Sequence, residues 1–458
     1  MARLDTLITK ATVWTETGSQ HATIGIKNGK IAFFGSPGFA PPADEVIDAS
    51  GKIVMPGAID SHVHLELPVG RTVSSDDFAS GSRAAACGGV TTIIDFATQE
   101  KGGSLLEAIE KRLAQAQGRT AVDFSFHCAI TDWNDEVRKE MGKVVRYGIP
   151  SFKLYMIYEE RGWMATDGIL FECFERASQI GALIGVHAEN PHIINVLVKR
   201  AVDRGKRGAI QHALTRPDFT EAEAVQRAIY LASIWDARIH IFHLSTAQAC
   251  AIVEEWLRQD YPVTAETCPQ FLTLTDALLR RRGGHRFACC PPLRSQDDND
   301  YLWEALEIGS VQTVATDHCS FTARQKDGWR GDFRKMLFGL PGIETLLPIM
   351  FTHGVLAGRI SETTLVRSLC TNPAIIFGLY PRKGTLHIGS DADIVIIDPE
   401  REVVVRPARL HMRCDYSPYD GWRLRGFPVM TILRGRILQR DGRFVGNERG
   451  GIFIRRGR

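Results

Sequence analysis

The chain has 458 residues, enough for one large domain and a smaller one, because single hydrophobic cores rarely grow beyond about 250–300 residues. Lys and Arg number 55 and Asp and Glu 53, so the formal net charge of +2 provides no large field to attract nucleic acid or acidic lipid. No apolar run reaches the roughly 18 residues of a membrane-spanning helix. We therefore predict no nucleic-acid or membrane partner.

The ten cysteines form no CxxC pair, and the chain opens without a signal-peptide pattern. This use of cysteine predicts that the protein is located in the reducing cytoplasm. Cys289 and Cys290 are not interpreted as a disulfide, because a bond between sequence neighbours would strain the geometry that a disulfide needs.

The two ends of the chain share one pattern of short extended runs bounded by turn residues. Up to about residue 55 such runs flank the turn Asn28-Gly29, and from about residue 381 they recur at 393–398 and 431–437. We predict that segments 1–55 and 381–458 pair into a composite β-sandwich domain, and that residues 56–380 form a second domain.

In the second domain, apolar runs rich in β-formers alternate with helical stretches such as 104–114 and 221–234, a pattern typical of βα units. The predicted strands are 53–64, 90–96, 122–130, 151–156, 183–187, 239–243, 263–267 and 311–317. Eight strands over about 300 residues predict an α/β fold, a closed (β/α)8 TIM-like barrel. The alternative is an open doubly wound sheet, although no GxGxxG or Walker motif follows a strand.

Polar residues close several of these runs, at the barrel end where such folds place their chemistry. The first run ends in His62-Val63-His64, where strand alternation would put both imidazoles on one side. Taken alone, this pair is equally typical of two structural, hydrogen-bonded histidines. The other strand ends add side chains at the same mouth: Lys153, His187, His243 and Asp317.

Imidazole and carboxylate groups suit Zn²⁺ and related ions, and without a cysteine cage they indicate a hydrolytic rather than a structural centre. Lys153 is the odd member, because an ammonium group is a poor ligand beside a dication. A buried salt bridge is its alternative role.

The ordered series of HxH, lysine, two histidines and aspartate resembles the amidohydrolase superfamily and, within it, the hydantoinase and dihydropyrimidinase group. The resemblance covers nearly the whole chain and includes segments 54–57, 86–92, 151–155, 187–190, 290–294, 316–319, 383–385 and 389–393. It implies two divalent ions, expected to be zinc, bridged by a carbamylated Lys153. One ion would be held by His62, His64 and Asp317 and the other by His187 and His243. A homotetramer is implied as well.

The implied reaction is attack of a metal-bridging hydroxide on a ring amide, giving an N-carbamoyl amino acid or its β-homologue. Tyr158, five residues after Lys153, resembles the tyrosine whose hydroxyl holds the oxyanion; the alternative is an aromatic packed on the barrel rim. Asp317 is predicted to take the proton of the attacking hydroxide and deliver it to the leaving nitrogen.

The expected substrates are 5-substituted hydantoins, dihydropyrimidines or both. The alternatives are an allantoinase, a dihydroorotase, or a non-catalytic scaffold related to dihydropyrimidinase. Dihydroorotases resemble one another in the motif HxHxR near the first strand. In this chain Glu66 occupies the position of that arginine, and its negative charge would repel a substrate carboxylate. Every position at which the family has a metal ligand holds a ligand residue in this chain, which disfavours a non-catalytic scaffold.

Relatives in the group hold substrate through the main chain of two loops, and both loops depart from the pattern here. Cys290 replaces the usual Ser and Phe338 the usual Asn; both residues are predicted to contact substrate, and Phe338 removes an amide. Loops 65–78 and 155–164 are expected to select the ring substituent and the enantiomer. The candidate wall residues, for which ordinary loop packing is the alternative, are Leu67, Val69 and Tyr155.

Overall fold

A computed structural model describes residues 3–457, and its central feature is an eight-stranded sheet in which each strand pairs with the next along the chain. The pairings between these strands are parallel. Val63 forms a bridge with His318, and the His64 N–H donates to the His318 carbonyl at 2.8 Å, so the two ends of the sheet meet. The predicted barrel is confirmed. Its strands, here numbered barrel strands 1 to 8, are Ala58–Asp60, Val90–Thr98, Asp123–Ala129, Ser151–Tyr155, Leu183–His187, Arg238–Ile241, Val263–Thr267 and Thr313–Val314.

Helices follow the barrel strands and bury their apolar faces against them. Several begin where a side chain accepts hydrogen bonds from the first turn, as Ser104, Asn134 and Thr166 do. The α-helices are Phe78–Cys87, Leu105–Ala116, Asp135–Tyr147, Asp167–Ile180, Pro191–Asp203, Gln211–Leu214, Asp218–Ser233, Ala247–Leu257, Pro269–Thr273, Gln296–Ile308, Ala323–Lys326, Leu346–Ile349, Glu362–Val366 and Asn372–Ile376. Two π-helical segments, Met350–Val355 and Arg367–Thr371, directly continue two of the later α-helices.

The two ends of the chain build one nine-stranded sheet. Its strand Ile53–Pro56 pairs in parallel with Leu4–Thr15 and antiparallel with Ile394–Ile397, which joins the N-terminal strands to the C-terminal ones. Some of its side chains form a buried cluster of their own, whereas others, such as Met55 and Val395, belong to the same cluster as the barrel core. The remaining strands are Gly18–Lys27, Lys30–Gly35, Ala43–Asp48, Pro428–Leu433, Arg436–Arg440 and Arg443–Phe444. Residues 1, 2 and 458 of the predicted terminal segments lie outside the described residues.

The prediction of a single first strand over 53–64 is wrong. Ile53–Pro56 belongs to the terminal sheet and Ala58–Asp60 to the barrel, with Gly57 between them. A Cβ atom at Gly57 would lie 2.2 Å from the Thr91 hydroxyl oxygen, so only glycine fits where the chain crosses from one sheet to the other. His62 and His64 therefore lie beyond the strand, and strand alternation does not account for their common orientation.

A buried lysine joins the two sheets. The Lys383 ammonium donates to Asp123 of barrel strand 3 and to Asp393, each at 2.6 Å, and lies 3.0 Å from Asp391. These three carboxylates are close enough together to hold a metal ion, but Lys383 already supplies their cation. The segments 383–385 and 389–393 thus carry an internal ion cluster.

No helix within residues 3–457 is both long and apolar enough to cross a bilayer. All ten cysteines are free and buried.

Candidate active site

The first half of the site is a carboxylate shared by two imidazoles at the mouth of the barrel. Asp317 Oδ1 lies 3.2 Å from His62 Nε2 and 3.0 Å from His64 Nε2. These three ligand atoms are close enough together to hold one metal ion. The residues predicted for one ion are therefore neighbours in the fold.

Glu266, in barrel strand 7, orients His62. Its Oε1 lies 2.7 Å from His62 Nδ1 and its Oε2 accepts a hydrogen bond from the Ser61 hydroxyl at 3.0 Å, which leaves His62 Nε2 facing Asp317. Burial raises the pKa of Glu266 to about 8. Sequence reasoning missed this residue, although an acid inside a buried strand signals a specific partner.

The second half of the site contains His187 and His243, whose rings are 4.4 Å apart. Glu189 Oε2 lies 2.8 Å from His187 Nε2 and fixes that ring, so Nδ1 is the nitrogen left for a ligand. Burial raises the pKa of Glu189, but His187 and Arg216 outweigh it and the pKa falls to about 2. Glu189 is therefore an anion that orients His187.

Lys153 projects from barrel strand 4 into this group. Its Nζ lies 3.8 Å above the Phe242 ring, and within the described chain it has no hydrogen-bond partner. Burial lowers the pKa of Lys153 to about 7, with Asp317 and Glu266 opposing that shift. A buried amine without a partner is costly, and perturbed groups of this kind cluster at functional sites.

Four residues at the mouth, His243, Asp317, Tyr158 and Glu66, have positive φ angles of 41°, 50°, 69° and 48°. Each such conformation costs a non-glycine residue about 1–3 kcal/mol. Glycine would adopt these angles more easily but would supply no functional side chain. These are four of the eleven non-glycine residues with positive φ in the described chain, so part of its backbone strain lies at the predicted site.

Tyr158 and Cys290 meet beside His187. The Tyr158 hydroxyl lies close to the Cys290 thiol, and the Tyr158 ring lies 5.3 Å from the His187 ring. The thiol also donates to Glu189 at 3.2 Å. Burial, followed by Cys290, raises the pKa of Tyr158 well above its usual value, so the hydroxyl keeps its proton near neutral pH.

Phe338 packs its side chain behind the Cys290 loop. Its ring stacks on His212 at 4.3 Å, and the Arg216 guanidinium lies 5.8 Å from it. His212 Nε2 in turn donates to the Cys289 carbonyl at 2.7 Å. Phe338 therefore links its own loop to the loop that carries Cys290.

A cavity of about 490 Å³ adjoins the first half of the site and is lined in part by Glu66, Leu67, Phe96 and Trp163. The Phe96 ring, which lines this cavity, lies 4.8 Å from the rings of both His62 and His64. Of the three candidate wall residues, Leu67 lines this cavity, whereas Val69 and Tyr155 do not.

Glu66 is not a free charge at this mouth. Both of its carboxylate oxygens accept hydrogen bonds from the Arg119 guanidinium. The pairing with Arg119 offsets the negative charge of Glu66. That charge was the reason for predicting that Glu66 repels a substrate carboxylate.

Comparison with known proteins agrees with this geometry. Residues 53–438 match the model of the amidohydrolase family. The D-hydantoinase of Geobacillus stearothermophilus is 41% identical over 454 residues, covering 98% of this chain and 96% of its own. The D-hydantoinase of Ralstonia pickettii is also 41% identical, and 99% of each chain is covered. The crystal structure of dihydropyrimidinase from Brevibacillus agri superposes with a TM-score of 0.96 at 40% identity, covering 99% of this chain and 98% of that one.

The fold and the site together define a (β/α)8-barrel protein that gathers histidines and a carboxylate, close enough together to hold a metal ion, at the carboxyl ends of its strands. The chain belongs to the amidohydrolase family, and its resemblance to hydantoinases and dihydropyrimidinases is confirmed.

Proposed function

We propose that the chain hydrolyses cyclic amides, opening 5-substituted hydantoins, dihydropyrimidines or both to N-carbamoyl amino acids. The observation that carries the proposal is the group of imidazoles and a carboxylate gathered around the unpartnered amine of Lys153. Relatives named D-hydantoinase and dihydropyrimidinase, similar over nearly the whole chain, support it.

The side chains present fit two divalent ions. Lys153 Nζ and His243 Nδ1 are buried without hydrogen-bond partners in the described chain, as expected of groups meant for another ligand. One ion, expected to be zinc, would be held by His62, His64 and Asp317 and the other by His187 and His243. When bound, two such ions lower the pKa of water and polarise a carbonyl group.

Lys153 is suited to carbamylation. Only an unprotonated amine attacks CO2, and with a pKa of about 7 a large share of Lys153 is unprotonated near neutral pH. The nitrogen forms a bond to the CO2 carbon and releases one proton, which yields an anionic carbamate. The product resembles a carboxylate and can bridge the two ions, as the ammonium group cannot.

Asp317 and Tyr158 would then move protons and stabilise charge. Asp317 would take the proton of the attacking hydroxide and pass it to the ring nitrogen as the amide bond breaks. The Tyr158 hydroxyl, which stays protonated, donates to the oxyanion of the tetrahedral intermediate.

The ring itself would be held by the main chain of two loops, beside Cys290 and Phe338. Because the Phe338 ring is stacked on His212, the contact proposed for that residue is through its backbone. The cavity lined by Phe96 would take the ring substituent, with Leu67 and Trp163 as further walls.

We also propose a homotetramer located in the cytoplasm, with 1–55 and 381–458 as one domain and 56–380 as the other. Light scattering on the purified protein would report its mass. A monomer of 50.9 kDa would contradict the tetramer.

The test is an assay of metal-loaded protein against hydantoin, aromatic 5-substituted hydantoins, dihydrouracil, allantoin and dihydroorotate, with metal quantified in the same samples. We expect turnover of the first three classes and about two metal ions per chain. Purified protein that binds no metal and opens none of these rings would indicate a scaffold instead.

Asp317→Ala should reduce kcat on the best substrate by at least about 10²–10⁴-fold, the usual contribution of a general acid–base. Asp203→Ala is a matched control, because that exposed carboxylate pairs with Lys199 on the helix Pro191–Asp203. Full turnover by Asp317→Ala would refute the proposed mechanism.

A further inference from the structure

Lys326 is a buried cation that the proposed reaction does not use. It ends the short helix Ala323–Lys326, and its exposure is only 1%. Among residues 3–457 its hydrogen-bond partners are main-chain carbonyls and no carboxylate pairs with it, although burying an unpaired charge is costly. Such a residue needs a compensating role.

The ammonium group bonds to the main chain of two separate loops. Lys326 Nζ donates to the carbonyl of Ala288 and to that of Leu337, each at 2.8 Å. Ala288 lies two residues before Cys290, and Leu337 lies one residue before Phe338. One side chain therefore spans the two loops whose backbone is proposed to hold the ring.

The same two loops also touch each other directly beside Asp317. The Gly339 N–H donates to the Ala288 carbonyl at 3.0 Å, so that carbonyl accepts from both Lys326 and the partner loop. A Cβ atom at Gly339 would lie 2.5 Å from the Cys319 carbonyl, two residues past Asp317. There is little room for either loop to shift without the other.

Neighbours of Lys326 hold its helix against the mouth. The Gln325 amide donates to the Thr72 hydroxyl at 2.7 Å and to the Val73 carbonyl at 2.9 Å, in the loop that follows His64. Asp327 lies 2.7 Å from His285 Nε2, in the turn that leads to Ala288. The helix is thus anchored independently of the Lys326 bonds.

We propose that Lys326 is a positioning residue for substrate binding: its ammonium sets the distance between the Cys290 and Phe338 loops and so determines how tightly the ring is held. This inference rests on the proposed function. Lys326 does not touch the reacting atoms, and removing it should affect KM more than kcat.

The test compares Lys326→Met with Lys335→Met, a matched change at an exposed lysine of the segment Phe333–Lys335. With the best hydantoin as substrate, we expect Lys326→Met to raise KM by about tenfold or more with little change in kcat, since small displacements of binding groups are costly. Metal content should equal that of the wild type, and Lys335→Met should match the wild type throughout. Lys326→Gln keeps two N–H donors and should recover part of the lost affinity.

An unchanged KM in Lys326→Met would overturn the inference. So would a loss of metal, or a fall in kcat alone, because either result would indicate a different role. If both the Met and the Gln variants fail to fold, Lys326 serves stability and the inference is wrong. A wild type that opens no ring would refute the proposed function itself, whereas an active wild type with unaffected variants refutes only the role of Lys326.

Discussion

At the residue scale, the site depends on acids that orient its imidazoles. Glu266 fixes His62 from one side and Glu189 fixes His187 from the other, each through a contact shorter than 3 Å between the ring nitrogen and a buried carboxylate. A histidine held by one nitrogen presents the other in a defined direction. The two acids therefore prepare the site before any ligand binds.

Tyr158 offers a test at this scale. Tyr158→Phe should lower kcat by about 10²–10³-fold, the usual cost of removing one donor to an oxyanion, and should leave metal content unchanged. Tyr230→Phe removes a hydroxyl from an exposed ring on the helix Asp218–Ser233 and serves as the control. Equal rates for the two variants would argue that Tyr158 only packs on the rim.

At the scale of elements, the C-terminal tail closes the bottom of the barrel. Phe453 pairs with Phe124 of barrel strand 3, and the buried Arg456 donates to the Ser125 hydroxyl at 2.9 Å and to the Ser151 hydroxyl at 2.8 Å. Ser151 begins the strand that carries Lys153. The tail thus braces barrel strands 3 and 4 at the end opposite the site.

Arg456→Met should therefore destabilise the protein by about 2–3 kcal/mol, because several buried acceptors lose a charged donor. Thermal or chemical unfolding would measure the change. Arg455→Met alters the exposed neighbour and should be nearly neutral. Identical unfolding midpoints for the two variants would contradict the bracing role.

At the scale of the whole molecule, the Lys383 cluster holds the terminal sheet to the barrel. Lys383→Met would leave Asp123, Asp391 and Asp393 without their shared cation and should cost about 3–5 kcal/mol of unfolding free energy. The control is Lys10→Met, whose partner Asp48 is exposed, and which should cost less than about 1 kcal/mol.

The stabilisation should also depend on pH. Burial raises the pKa of Asp391, but Lys383, Lys30 and Arg382 outweigh it and hold the pKa at about 2, below the ordinary value of about 3.9. The contribution of a carboxylate with a lowered pKa is complete above its unfolded pKa and disappears as the pH falls through the folded one. The stability difference between wild type and Lys383→Met should thus shrink between about pH 4 and pH 2. A constant difference over that range would count against the ion cluster.

The sequence by itself determined the barrel, because the periodicity of apolar residues and the polar residues at the strand ends are local properties of the chain. Apolar runs alternating with helical stretches predicted eight strands, and the polar residues that close them identified His187, His243 and Asp317. The motif around Lys153 completed the set by resemblance. Each of these signals spans only a few neighbouring residues, so it can be recognised without knowledge of the packing.

Contacts between segments that are distant along the chain were decided only by the tertiary structure. Gly57 splits the predicted first strand because Thr91, 34 positions later in the chain, leaves no room for a side chain. Glu266 meets His62 across 204 positions, and Lys326 meets Ala288 across 38. No periodicity encodes such pairs, because each depends on where the closed barrel brings distant backbone together.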